Sequence, residues 1–321
     1  MIVKSYKKNW IIYLIIAVNI FIIISMILAI PIGLYVFYNE YIELTNTTDG
    51  KFPLFILGLP FFNLTNLNYL ITFCTMSVVY LALLLSIIFK ERKSLEKSIK
   101  KRMDLKVVLS NRIIIIPAAY SMLTIVSFII EKIQNQIGIE TGVLSSRDPV
   151  TELLSLSISP ISEEIGFRAS IIGLITFIIV SQKNSSKDVI KSFLYPEQSI
   201  LTNKNNNKHD YVKLLYVIAF ISGIYFGIAH IIYGGEWQLG KITTASLAGI
   251  TLGIIYIKFG LVSSILIHWS FNYYTTVYIK IDAILGSINL IYIIDFLIIT
   301  NSFLITLYFI TNKFLFKKNE E

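Results

Sequence analysis

Residues 152–181 read ELLSLSISPISEEIGFRASIIGLITFIIVS. Two properties of this run settle the class of fold. It is apolar for long enough to cross a bilayer, which takes roughly 20 residues of α-helix. It also carries Glu163, Glu164 and Arg168 in its interior, and one charge at mid-membrane costs about 2.5–3.5 kcal/mol on insertion scales. A span that keeps three such groups must pack them against other helices. Pro160 removes a main-chain donor part way along, so the run is expected to be a broken helix, or an entry loop followed by a helix.

Comparable runs lie on either side, at roughly 10–38, 68–89, 111–130, 211–232, 241–257, 261–280 and 289–312. Apolar stretches of about 18 residues or more read as membrane spans. Of the 321 residues, 55% are hydrophobic and 15% charged, where an ordinary soluble domain is about one quarter charged. That balance excludes a soluble globular protein, a coiled coil and a disordered chain. The expected fold is all-α, a polytopic membrane bundle of about eight transmembrane helices, with residues 1–321 forming a single membrane domain. The sixth span is short, and its Gly249 and Gly253 allow a neighbouring helix to approach closely. Cys74 is the only cysteine, so no intrachain disulfide forms. The N-terminal MIVKSYKKNW leads into an apolar run too long for a signal peptide, and no small-residue cleavage site follows it. It is read as the start of the first span.

A formal net charge of +8 would suggest nucleic acid in a soluble protein. Here Lys and Arg collect in alternate connections, as they do in cytoplasmic loops. They occur at Lys4, Lys7 and Lys8, nine times within about 90–112, five times within 183–210, and at Lys313, Lys317 and Lys318. The connections at 39–67, 131–150 and 233–240 are poor in them. The alternation predicts a multi-pass protein of the cell membrane with both termini cytoplasmic, and no nucleic-acid partner. Leu95, Ile99, Met103 and Val107 recur at steps of four among basic residues, the pattern of a helix lying in the interface; a solvated basic loop is the alternative. The stretch 183–210, with Asn205, Asn206 and Asn207, reads as flexible.

The ionisable groups inside spans carry the chemistry. Glu164 and Arg168 share a helix face and can pair. Glu163 is turned about one hundred degrees from Glu164 and has no local cation, as suits a general base; two carboxylates bracing one arginine is the structural alternative. In Phe226-Gly227-Ile228-Ala229-His230 the ring and the imidazole lie one turn apart, flanked by small residues. In His268-Trp269-Ser270-Phe271-Asn272 an imidazole and an amide share a face, and two such donors can hold a developing oxyanion. Taken singly, each histidine suits packing or interhelical hydrogen bonding as well. Together, on three spans, they supply water activation and oxyanion stabilisation, the equipment for amide hydrolysis. No GxSxG, HExxH or GxGD motif is present, so the simplest nucleophile is a water activated by Glu163.

These three motifs, in this order, resemble the CPBP family of intramembrane proteases, whose pattern is EExxxR, FxxxH and HxxxN or HxxxD. The family includes type II CAAX prenyl endopeptidases and bacteriocin-processing and abortive-infection-like proteins. The resemblance covers roughly 150–275, a CPBP-like catalytic core, and departs from many members at Ala169, where glycine is common. It implies that Glu163 activates water with help from His230, and that His268 and Asn272 stabilise the tetrahedral intermediate. Glu164 and Arg168 would orient the site and Phe226 would shape it. Glu163, His230 and His268 are also the right donor types for a catalytic zinc. The one-helix geometry of HExxH is missing, however, so a reaction without metal or cofactor is expected, with zinc on those three residues as the alternative. The expected partners are membrane lipid and a peptide or protein substrate: a prenylated C-terminal tail, a leader peptide or a membrane-protein segment. A non-proteolytic scaffold or bacteriocin-immunity protein on the same fold is the competing function.

Overall fold

The computed structural model describes residues 2–43, 50–100, 105–142, 148–181, 186–202, 207–234, 237–286 and 289–317. Its elements follow the apolar runs, because a helix satisfies every main-chain polar group within itself, as lipid demands. They are α1 (Ile2–Glu43), a hairpin of β1 (Phe52–Ile56) and β2 (Leu59–Leu64), α2 (Tyr69–Lys100), α3 (Leu105–Val108) and α4 (Arg112–Gln136). Then come α5 (Pro149–Glu164), a π-helical segment (Ile165–Gly173), α6 (Leu174–Ser181), α7 (Ser186–Leu194) and α8 (Pro196–Thr202). The remainder is α9 (Lys208–Tyr233), α10 (Gly240–Phe259), α11 (Leu261–Trp269), a second π-helical segment (Ser270–Tyr274), α12 (Thr275–Leu285) and α13 (Leu290–Lys317).

Seven helical stretches among the described residues are long and apolar enough to cross a membrane: 10–43, 69–100, 112–136, 149–181, 208–233, 240–259 and 290–311. The remaining expected span, the seventh, is helical from Leu261 to Leu285 with a π-helical middle. Pro160 does not break the fourth span, which runs on from Pro149 to Ser181. It starts where Asp148 caps the helix, its carboxylate accepting from Thr151 N at 2.8 Å, with Pro149 in the first turn, where a missing N–H costs nothing. What interrupts the α pattern is the wider winding directly after Glu164.

Three readings of the connections need correction. The basic stretch after 89 is neither a separate interfacial helix nor a loop: α2 continues through it to Lys100, with Leu95 buried. Met103 of that stripe lies outside the described residues. The 183–210 stretch folds in part as α7 and α8, with Asn205 and Asn206 outside the described residues. The 39–67 connection, in which no strand was expected, contains the hairpin.

Contacts divide the chain into two units. One comprises 1–36, 80–125 and 274–321. In it, Asn19 and Asn301 are fully buried and exchange side-chain hydrogen bonds of 2.9 and 3.2 Å, and Asn301 also donates to Ser121 at 3.0 Å. These bonds link α1, α4 and α13, where hydrophobic burial gives no advantage over lipid.

The other unit comprises 37–79 and 126–273. Here α9 and α10 cross closely through small residues. A Cβ on Gly249 would come within 2.8 Å of Gly223 Cα, and one on Gly253 within 2.9 Å of Ala219 Cβ. The hairpin turns at Leu57 and Gly58, with φ of 51° and 76°, both positive as a tight two-residue hairpin turn requires. Its first strand is fastened to α5: Ser162 Oγ donates to Pro53 O at 2.6 Å. Leu57 N donates to Ser170 Oγ at 2.8 Å, and Gly58 N to Gly166 O at 2.9 Å. Phe55 packs so tightly on Gly166 that any Cβ there would overlap the Phe55 side chain.

Candidate active site

Glu163 and Glu164 are the last two residues of α5, and they face different surroundings. Glu164 is fully buried. Its Oε1 accepts a 2.8 Å hydrogen bond from His268 Nδ1 and lies 3.2 Å from Arg168 Nη1. Its Oε2 accepts from the Ser264 hydroxyl. A buried charge is tolerated only with such partners. Arg168, just 1% exposed, also donates from Nη2 to the Gly249 carbonyl at 3.3 Å. Its guanidinium lies over the Phe226 ring, 4.3 Å from the centroid, a cation–π contact that desolvation strengthens.

Glu163 keeps 16% of its side-chain exposure, and its Oε2 stands 3.5 Å from His268 Nε2. His268 therefore lies between the two carboxylates. Its Nδ1 carries the hydrogen donated to Glu164, which as a carboxylate only accepts. Nε2 is thus the nitrogen able to exchange a proton with Glu163.

Glu163 also forms part of the wall of a cavity of about 110 Å³, together with Phe55, Phe167, Phe226, His230 and Trp237. Each molecule of liquid water occupies about 30 Å³, so the cavity has room for water beside the carboxylate. His230 Nδ1 lies 2.9 Å from the Phe226 carbonyl. A carbonyl only accepts, so Nδ1 donates and Nε2 remains as the acceptor. The edge-on contacts of the Phe226 ring with His230 and His268, at 4.6 and 5.8 Å between centroids, space the two imidazoles.

The structure therefore brings Glu163, Glu164, Arg168, Phe226 and His268 into one contact group and sets His230 on the cavity that Glu163 lines. Asn272 is not part of that wall; it is half-buried in the second π-helical segment. The sequence reading missed two contributors. Ser264 lies one turn before His268 on α11, and that spacing is a signal which could have found it. Phe55 gave no such signal, because its place on the wall comes from the hairpin. Among the described residues, no three His, Cys, Asp or Glu side chains converge as a metal-ion site. Of the three zinc candidates, Glu163 and His230 share the cavity wall and His268 is not on it.

The fold and site together define a class: a helical, multi-pass membrane protein enclosing a carboxylate–imidazole cluster beside a small cavity. Residues 148–274 match the family model described as Type II CAAX prenyl endopeptidase Rce1-like. Over those residues the chain is similar to the CPBP/CAAX family of membrane endopeptidases. The matched segment runs from the cap of α5 to the end of the second π-helical segment. It contains every site residue named from the sequence, and the hairpin lies outside it. No curated protein and no solved structure matches the chain.

Proposed function

We propose that the protein cleaves a peptide bond with a water molecule held in the cavity and activated by Glu163. The supporting observation is the position of that carboxylate, open to a water-sized cavity on one side and 3.5 Å from His268 Nε2 on the other. Glu163 takes a proton from the water as its oxygen attacks the carbonyl carbon, while His230 Nε2 accepts the other water O–H. When the tetrahedral intermediate collapses, the C–N bond breaks and the proton passes to the leaving amine, giving an acid and an amine. His268 holds or lends a proton at Nε2 between these steps, and Glu164, Arg168 and Ser264 fix its ring. Asn272 keeps the oxyanion role that the resemblance gives it; the geometry supports a different place for His268, beside Glu163.

The substrate in this reading is a C-terminal peptide tail carrying a prenyl group. The family description supports it, as do the aromatic side chains of the cavity wall. The Lys/Arg alternation supports cytoplasmic termini in the cell membrane. The test is cleavage of matched prenylated and unprenylated peptides by the purified protein in detergent, with and without a chelator. Faster cleavage of the prenylated peptide, indifferent to chelator and to added zinc, is expected. Absence of cleavage, or activity lost to the chelator and restored by zinc, would contradict the proposal.

A further inference from the structure

Lys241 stands at the first turn of α10, and the site described so far does not use it. Its Nζ lies 3.8 Å from the centroid of Trp237, and Trp237 belongs to the cavity wall. The side chain is half-buried. Among the described residues no carboxylate comes within salt-bridge distance of its ammonium. Glu163 and Glu131 act on it electrostatically from further away, and Lys241 in turn acts on His230. The ammonium is therefore held on the aromatic face of a residue of the cavity wall, within electrostatic reach of the two residues that would handle the water. The N-terminus of a helix of 20 residues adds positive potential at the same place. Trp237 also borders a second depression of about 400 Å³, walled in part by Ile139, Glu140, Ile231 and Leu239.

A half-buried cation without a close anionic partner is costly to keep. A substrate carboxylate would complete it. We infer that Lys241 is a specificity residue that binds a carboxylate of the substrate, on the side of the scissile bond that runs past Trp237. This rests on the peptidase reading above and deepens it. Two sources share this chemistry, the free C-terminus of the peptide and an acidic side chain just beyond the cut.

The test compares three peptides that differ only after the cleavage site: a free C-terminal acid, the C-terminal amide, and the amide with a glutamate placed beyond the cut. Each is cleaved by the wild-type protein and by Lys241→Met and Lys241→Arg, with folding checked by thermal unfolding in detergent. A charge-assisted hydrogen bond predicts a preference of about tenfold to a hundredfold for a carboxylate over the plain amide, lodged in KM rather than kcat. Whichever carboxylate-bearing peptide shows the preference identifies the source. In a folded Lys241→Met protein the preference should collapse to near one, and Lys241→Arg should restore part of it. Equal cleavage of all three peptides by the wild type, or a preference surviving in Lys241→Met, would overturn the inference while leaving the peptidase reading standing. Failure of the wild type to cleave any peptide would count against the peptidase reading itself.

Discussion

Two glutamates adjacent in sequence are given opposite tasks by their neighbours. Glu164 accepts from His268 and Ser264 and faces Arg168, so its lone pairs are committed. Glu163 meets one imidazole and a cavity, so it has the freedom to take up a proton. The Glu164–Arg168 pair was legible from its spacing, because helix periodicity fixes which side chains on one helix can meet. The place of His268 between both carboxylates was not legible, since periodicity gives no distance between helices. The value of the pair follows from its burial. Removing one member of a buried ion pair strands the other charge, at about 3–5 kcal/mol. Arg168→Met should therefore lower the thermal unfolding midpoint in detergent markedly. Arg168→Lys should recover only part of the loss, because an ammonium lacks the flat face that covers Phe226. An Arg168→Met protein as stable as wild type would show that Glu164 does not depend on the arginine.

At the scale of elements, two devices turn spans into a site. Each π-helical segment begins directly after, or one residue beyond, a site residue: Ile165 follows Glu164, and Ser270 follows Trp269 beside His268. Such widened turns are frequently found at functional sites. The second device is the hairpin, which supplies Phe52, Pro53 and Phe55 to the cavity wall. The sequence concealed both. A short apolar run between two spans cannot be told from part of a helix by periodicity. The hairpin is also fixed by Ser162, Gly166 and Ser170, about one hundred residues further along the chain. Gly166 is where this docking is most sensitive. Gly166→Val would force Phe55 away from α5, and overpacking of this kind costs about 1–3 kcal/mol. We expect a lower unfolding midpoint together with a loss of cleavage larger than the stability change explains. Unchanged activity in Gly166→Val would remove the hairpin from the working site.

At the scale of the whole molecule, the sequence was most informative where physics is least local. Lipid requires long apolar helices, and the spans expected from hydropathy are present, seven as long apolar candidates and the one expected at 261–280 as helix with a π-helical middle. The same requirement makes the few buried polar groups meaningful, because each needs a partner or a task. In the unit formed by 37–79 and 126–273, three motifs on separate spans meet at one place, and the matched family segment covers all three. Ser264, Phe55 and Lys241 emerged only once those spans were packed. The central claim is that Glu163 activates the water that breaks the peptide bond. It is tested most directly by comparing wild type with Glu163→Gln, which keeps the side chain's shape and removes its basicity, in one cleavage assay and one unfolding assay. The expected result is a kcat lower by about 10²–10⁴, the usual contribution of a general base, with an unfolding midpoint close to that of wild type. A folded Glu163→Gln protein that cleaves within tenfold of the wild-type rate would contradict it.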